Sequence, residues 1–411
     1  MNILHSFPDK NKLRIWFKNQ HEQKIYKING HIHTPYSFSS FESIKQVFQM
    51  AVYEHIKILG INDFNVIDGY RDFYENAINN KVFPLFNIEF IGLIKKFQSK
   101  NIRINDLNNP GRIYISGKGL KYPVTLDSNY KKILVEINAA SQTHVKAMID
   151  KVNLWFYQSG VDIKLEYNNI KKSYTKELVR ERHIAKAIRF NILKKYPDEK
   201  KQKEIYTKIF DNKSPKSKLT DTPSIENEIR GNLLKAGGKA YVKEDEKLFL
   251  DIETLINIIT NAGGIPCYPV LLDDLSGNFT EFEADYNSLC NKLKKLNIAC
   301  IELIPNRNDF GCLKNFVNLF NDKGFVILFG TEHNIPGMIP LTPVARGNKQ
   351  LDRELETISY EGGCVIAAHQ YLIAKGEEGF LNKEGKQKTS KKQEFVELGK
   401  AVVEWYLKMN K

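Results

Sequence analysis

The chain has 411 residues, 42% of them hydrophobic, which is enough for a large core in one α/β barrel or in two to three smaller domains. No stretch is apolar over the ~20 residues that a membrane helix needs, and the first residues lack the apolar segment of a signal peptide, so we expect neither a membrane span nor a leader. The formal net charge of +13 comes from lysines interspersed with acidic residues along the whole chain. We therefore expect an anionic small-molecule partner rather than nucleic acid as the main one.

The cysteine content bears on the compartment. The five cysteines are Cys267, Cys290, Cys300, Cys312 and Cys364. Their number is odd and no two form a C-x-x-C pair, so the pattern favours reduced thiols over a disulfide framework. We expect a cytoplasmic protein.

The N-terminal part of the chain alternates between predicted strands and predicted helices. The segments KIYKINGHIH, KILGIND and VFPLFNIEFIG are typical of buried strands. Residues 43–55 carry apolar side chains at helical spacing, and residues 70–78 also resemble a helix. This alternation predicts parallel strands with helices outside, a fold in which chemistry takes place at the carboxyl ends of the strands.

The remainder divides into three parts. Residues 95–135 are predicted to be a β-rich excursion that completes an N-terminal part of the barrel over residues 1–137. Residues 138–243 are mostly polar and helical, with a Pro- and Ser-rich break, and predict an inserted helical subdomain. Residues 244–411 resume the alternation, with predicted strands in GGIPCYPVL, NIACIELIP, GFVILFGTEHN and GGCVIAAHQ, and end in an amphipathic helix.

Polar side chains follow the first three predicted strands where each one ends. His31 and His33 are two residues apart on one strand, so both imidazoles face the same side and one cation can bind both. A lone H-x-H is more often a pair of buried structural histidines. With Asp63 and Glu89 at the next two strand ends, the motif predicts a metal site.

These segments resemble the motifs of the PHP (polymerase and histidinol phosphatase) superfamily. NGHIHTPYSFSSFES resembles its opening H-x-H-T-x-x-S motif, LGINDFNVIDGY its second, and PLFNIEF its third, which ends in a glutamate ligand. ERHIAKAI and NLLKAGGKAYV resemble two segments of the insertion in PHP phosphoesterases that act on small phosphorylated nucleotides. GGIPCYPVL and GFVILFGTEHN resemble the last two motifs. The resemblance implies an α/β fold, a distorted parallel (β/α)7-type barrel with an inserted helical subdomain over its mouth.

Several positions depart from the family pattern. Phe64 stands where the second motif usually has a ligand histidine, and Tyr268 where the His-Pro histidine is expected. In the last motif Glu332 replaces aspartate and Asn334 the final histidine. The usual three-metal cluster therefore cannot be carried over whole, and the chain is either a divergent branch with one or two metals or has lost catalysis. We favour the divergent branch, because polar groups still fall at strand ends.

The resemblance and the strand ends together lead to an assignment of roles. The predicted metal ligands are His31, His33, Glu89, Glu332, His333 and His369, a mixed set that suits Zn²⁺, Mn²⁺ or Fe²⁺. The predicted catalytic residues are Asp63, Tyr268 and Arg307. The predicted substrate-binding residues are Arg180, Arg182, His183 and Arg307.

Each assignment has a plainer alternative. Asp63 could orient a ligand or cap a turn, and Tyr268 could be a core tyrosine with a satisfied hydroxyl. Arg307 could lie in a surface turn. His333 and His369 could instead orient the metal ligands or pack in the core. Arg180, Arg182 and His183 could instead form a basic helix face exposed to solvent. Glu302 also ends a predicted strand but is less tied to a motif, and His5, His21 and His55 are expected to be structural or exposed.

Three functions remain open at this point. The leading hypothesis is hydrolysis of a small phosphorylated metabolite by a metal-activated water. The alternatives are another metal-assisted reaction on a sugar or small metabolite, and a catalytically silent PHP-like binding protein. The chain has neither a G-x-x-x-x-G-K-[ST] nor a G-x-G-x-x-G motif, so ATP or NAD chemistry has no support.

Overall fold

A computed structural model describes residues 2–20 and 24–409, so His21 lies outside the described residues. Seven strands form one sheet in chain order. They are β1 Lys27–Ile32, β2 Ile56–Phe64, β3 Phe83–Leu93, β4 Arg112–Lys118, β5 Ile265–Val270, β6 Cys300–Leu303 and β7 Val326–Phe329. A separate two-stranded ribbon pairs β8 Val344–Ala345 with β9 Lys349–Gln350.

The seven-stranded sheet curls into a nearly closed barrel. A parallel bridge joins Ile32 at the end of β1 to Glu332 just after β7. Neighbouring strands are parallel except at β4, which runs antiparallel to both β3 and β5. The predicted α/β fold with a distorted, mostly parallel barrel is confirmed, and β4 is the source of the distortion.

Fourteen α-helices surround the described part of the sheet. They are α1 Lys10–Lys18, α2 Ile44–Tyr53, α3 Tyr70–Asn80, α4 Lys95–Gln98, α5 Ser128–Gln158, α6 Tyr167–Tyr174, α7 Glu181–Lys195, α8 Glu199–Ile209, α9 Thr222–Ile229, α10 Ile252–Asn261, α11 Tyr286–Lys295, α12 Phe310–Asp322, α13 Arg353–Ala374 and α14 Lys392–Lys408. None of these described helices combines the length and the apolar character that a bilayer crossing requires.

Buried apolar side chains form three clusters, and burial of this surface is the main force holding the fold together. One cluster packs the outer faces of the strands against the surrounding helices and includes Phe48 and Phe73. A second closes the amino ends of the strands with α1, α13 and α14. A third lies within α5 to α9 and includes Phe156 and Ile188. The carboxyl ends of the parallel strands are thereby left free to carry polar groups.

The boundaries of the middle region differ from the prediction. The expected boundary between residues 137 and 138 falls inside α5, which begins at Ser128. The expected β-rich excursion over residues 95–135 contains one strand, β4, together with turns and the first residues of α5. Helical structure therefore starts about ten residues earlier than polar composition and turn residues indicated.

The prediction of a strand in GGCVIAAHQ is also wrong, because these residues form the middle of α13. This helix is buried on nearly every side, so its apolar residues run continuously, and a short apolar run does not distinguish a buried helix from a buried strand. Gly362 faces the Ile327 carbonyl of β7 so closely that a Cβ atom would clash. The paired glycines thus allow the helix to pack directly on the barrel floor.

Candidate metal centre

Three buried side chains at the ends of β1 and β3 point ligand atoms at one another. The Nε2 atoms of His31 and His33 are 3.3 Å apart, and His33 Nε2 lies 3.4 Å from a carboxylate oxygen of Glu89. One ligand atom from each residue lies within 4.8 Å of the other two. Two imidazole nitrogens and one carboxylate oxygen are ligands that zinc, manganese and iron accept in proteins. The residues present therefore fit a divalent metal ion.

A hydrogen-bond chain sets the orientation of His33. Its Nδ1 is 3.1 Å from Ser37 Oγ, and the Ser37 hydroxyl donates to the Asp63 carboxylate at 2.7 Å. Because an ionised carboxylate only accepts, Ser37 uses its single proton there, and His33 must donate its Nδ1–H to Ser37. This assignment leaves the Nε2 lone pair of His33 facing Glu89, as metal binding requires.

His31 is oriented in the same way from the opposite side. Its Nδ1 lies 2.8 Å from a carboxylate oxygen of Glu302, so the ring donates there and its Nε2 carries the lone pair. The side-chain amide of Asn62 lies 3.0 Å from that Nε2, in agreement with an acceptor at this position. Burial would lower the pKa of His33, but Glu89, Asp63 and Glu332 outweigh burial and raise it. The negative potential at the cluster therefore favours a cation.

A second polar group lies on the wall of the barrel formed by β4 and β6, and the sequence analysis missed most of it. Lys118 is fully buried and donates to Asn62 Oδ1 at 2.9 Å and to the Glu302 carboxylate, which also accepts from Ser116. Burial would raise the pKa of Glu302, but Lys118 and His31 hold it well below its usual range. The available signal was the alternation in RIYISGK, which places Ser116 and Lys118 on one strand face.

Asp63 is buried beside the centre and contacts the turn after β1. Its carboxylate accepts the backbone N–H of Thr34 at 2.7 Å, the Thr34 hydroxyl and the Ser37 hydroxyl. Burial raises its pKa, and these three donors act against that shift. These contacts support the alternative of a positioning role, in which Asp63 holds the turn after β1 and, through Ser37, the ring of His33.

Glu332 lies beside the centre but outside the group of three convergent ligands. Its carboxylate binds the guanidinium of Arg307 and the Asn334 side-chain amide at 2.7 Å. Its backbone carbonyl accepts the N–H of His33 at 2.7 Å, which ties the end of the barrel to β1. Arg307 is half-exposed at the rim of the mouth, and its charge neutralises Glu332.

Neither His333 nor His369 offers a free ligand atom, which corrects both predictions. The ring nitrogens of His333 lie 2.8 Å from Thr331 Oγ1 and 2.9 Å from the Ile339 carbonyl. The nitrogens of His369, which lies in α13 rather than at a strand end, contact the Gly263 carbonyl at 2.6 Å and the Phe380 N–H at 2.9 Å. Both histidines are buried, pack in the core and form hydrogen bonds with backbone groups.

Tyr268 faces away from the barrel interior, which corrects its predicted catalytic role. Its hydroxyl donates to Glu283 at 2.8 Å in the outer apolar layer, and the residue is fully buried. Side chains alternate along β5, so a residue next to inward-facing Cys267 must point outward. The two other predicted bystanders, His5 and His55, are exposed.

The helical region brings arginines to the mouth of the barrel. Arg180 donates to the Phe64 carbonyl at 2.6 Å, and its guanidinium lies 4.9 Å from the centre of the Phe64 ring. Burial lowers the pKa of Arg182 to about 10, so its guanidinium is still charged at neutral pH. The carboxylate of Glu332 acts against this shift and raises the pKa of Arg182. His183 is buried behind them and accepts the Arg180 backbone N–H at 2.9 Å.

One solved structure supports this architecture, and a second is reported beside it. A solved structure from Bifidobacterium adolescentis, described as a candidate metal-dependent phosphoesterase, is 12% identical with a TM-score of 0.55, over 81% of this chain and 95% of the other. An amidohydrolase from Chromobacterium violaceum is 13% identical with a TM-score of 0.48, over 81% of this chain and 96% of the other. No curated protein sequence matches significantly. Residues 29–212, which hold His31, His33 and Glu89, match the model of the PHP domain family.

Proposed function

We propose that the protein is a metal-dependent hydrolase that removes phosphate from a small phosphorylated metabolite. The observation that carries the proposal is the convergence of His31 Nε2, His33 Nε2 and the Glu89 carboxylate inside a PHP domain. A divalent ion bound there, Zn²⁺, Mn²⁺ or Fe²⁺ in one or two copies, would lower the pKa of a water and polarise a phosphoryl oxygen. The phosphoesterase description of the Bifidobacterium structure supports the same reaction class.

The protein's own groups supply orientation and charge. Ser37 and Glu302 hold the two imidazoles so that both lone pairs face one point. Arg180, Arg182 and Arg307 carry positive charge around the mouth, where a substrate phosphate would approach. Guanidinium groups suit this role because their planar donors match phosphate oxygens.

The same charges and thiols bear on the substrate, its route of entry and the cellular location. The substrate is a small anionic molecule that enters at the carboxyl ends of the strands, beneath α5 to α9 acting as a lid. All five cysteines are free thiols, which supports a cytoplasmic location.

The test combines metal analysis with a substrate panel. The purified chain should contain a tightly bound transition metal, and Mn²⁺, Zn²⁺ or Fe²⁺ should stimulate phosphate release from at least one phosphomonoester. His33→Ala should lose the metal and the hydrolysis while keeping its circular dichroism spectrum, because the apolar core is untouched. His5→Ala, an exposed histidine, is the matched control.

The possible outcomes separate the competing functions. Metal without phosphate release from any phosphoester would favour a reaction on a different metabolite. Wild-type protein without tight metal, or His33→Ala with full occupancy, would contradict the metal centre itself.

A further inference from the structure

A cavity of 410 Å³ lies between residues 35–42 and helices α6 and α7, and its lining does not include the three metal-centre residues. Three lysines line it: Lys172, Lys176 and Lys186. Within the described parts of the chain, none of the three ammonium groups has a carboxylate partner at ion-pair distance. Lys172 and Lys176 are exposed and Lys186 is half-buried, so the three positive charges together attract an anion to the cavity.

His183 adds a directed hydrogen-bond donor to the same cavity. It is 2% exposed, and its Nδ1 accepts the Arg180 N–H, so its proton is on Nε2. No described residue accepts that proton, although the residue lines the cavity. Burial lowers the pKa of His183 to about 3, so the ring is a neutral donor at physiological pH. The buried unpaired side-chain atoms of the described residues do not include this nitrogen, so its N–H is accessible from the cavity and can donate to a ligand or water there.

We propose that this cavity is a second anion site, which binds a phosphate group of a small phosphorylated ligand through Lys172, Lys176, Lys186 and the Nε2–H of His183. Lysines bind phosphate as point charges, and the imidazole N–H fixes the direction of one oxygen. The volume is in the range of small-molecule sites. Glu42 also lines the cavity and would repel a second phosphate, so it favours a hydroxyl or amino group at that end of the ligand.

The site can be probed with pyrophosphate on the full chain by titration calorimetry. We expect saturable binding at one site once a chelator has removed any metal, weakened about tenfold in Lys172→Gln/Lys186→Gln because two phosphate-facing charges are lost. The matched control is Lys171→Gln/Lys194→Gln, which removes the same charge from the same two helices outside the cavity lining. Equal loss in both variants, or no binding by the wild type, would overturn the proposal.

Two further measurements separate this cavity from the metal centre. His33→Ala should bind pyrophosphate as well as the wild type does, and loss of binding in that variant would place the probe at the metal centre and overturn the proposal. In ¹⁵N-histidine spectra, pyrophosphate should shift the Nε2 signal of His183. Binding that leaves this signal unmoved would equally contradict the assignment. Neither result depends on whether the chain hydrolyses phosphoesters.

Discussion

The two walls of the barrel interior both bury charged groups, but they balance the charge differently. On the wall formed by β1 and β3, His31, His33 and Glu89 turn their ligand atoms towards one another, and the group includes neither a lysine nor an arginine. On the wall formed by β4 and β6, Glu302 is neutralised by the ammonium of Lys118. A buried carboxylate needs a partner, so the first wall calls for an external cation while the second supplies its own.

The largest expected effect tests whether the second wall depends on that internal cation. Lys118→Met should lower the free energy of unfolding by about 3–5 kcal/mol, because it leaves the buried charge of Glu302 without its main partner. Urea denaturation measures the change. Lys121→Met, an exposed lysine three residues on, should stay within about 0.5 kcal/mol of the wild type. A small effect at Lys118 would show that the two walls do not differ as described.

A buried carboxylate outside the barrel sharpens the comparison. Glu283 accepts hydrogen bonds from Tyr268 and two backbone N–H groups, and no cation among residues 2–20 and 24–409 pairs with it. Burial raises its pKa to about 7. Below about pH 4.5 it is protonated in both the folded and the unfolded chain. As the pH rises to about 7, only the unfolded chain releases the proton, so stability falls by up to about 1.4 kcal/mol per pH unit.

Denaturation at several pH values checks this dependence. The wild type should lose about 3 kcal/mol of unfolding free energy across that window relative to Glu283→Gln, which cannot titrate. Glu253→Gln, at an exposed position, should keep the wild-type slope. Parallel curves for the wild type and Glu283→Gln would mean that Glu283 is already ionised when folded.

The smallest expected effect concerns the hydrogen bonds through which Asp63 orients His33 on the first wall. Asp63→Asn should weaken metal binding about 10–100-fold without removing a ligand, because a neutral amide oxygen accepts from Ser37 more weakly than the carboxylate does and holds the proton of His33 less firmly. Competition with a chelator measures the affinity, and Asp68→Asn, an exposed neighbour, is the control. Unchanged affinity would restrict Asp63 to holding the turn.

Much of the first wall could be predicted from the sequence, because its signals are local. His31 and His33 share a strand face by alternation alone, and Glu89 ends an apolar strand. The β/α alternation predicted the barrel and the edge at which its chemistry would lie. Periodicity of two and of 3.6 residues is a property of neighbours in the chain, so it is visible without the fold.

The second wall was decided by tertiary structure. Lys118 and Glu302 are 184 residues apart in the chain, and they meet only because β4 enters the sheet antiparallel and β5 separates it from β6. The same reason accounts for Tyr268, whose outward face depends on the register of β5, and for His369, whose apolar segment forms a buried helix. Which residues share a strand face follows from local alternation, whereas which side chains neutralise one another depends on strand order and register between distant segments.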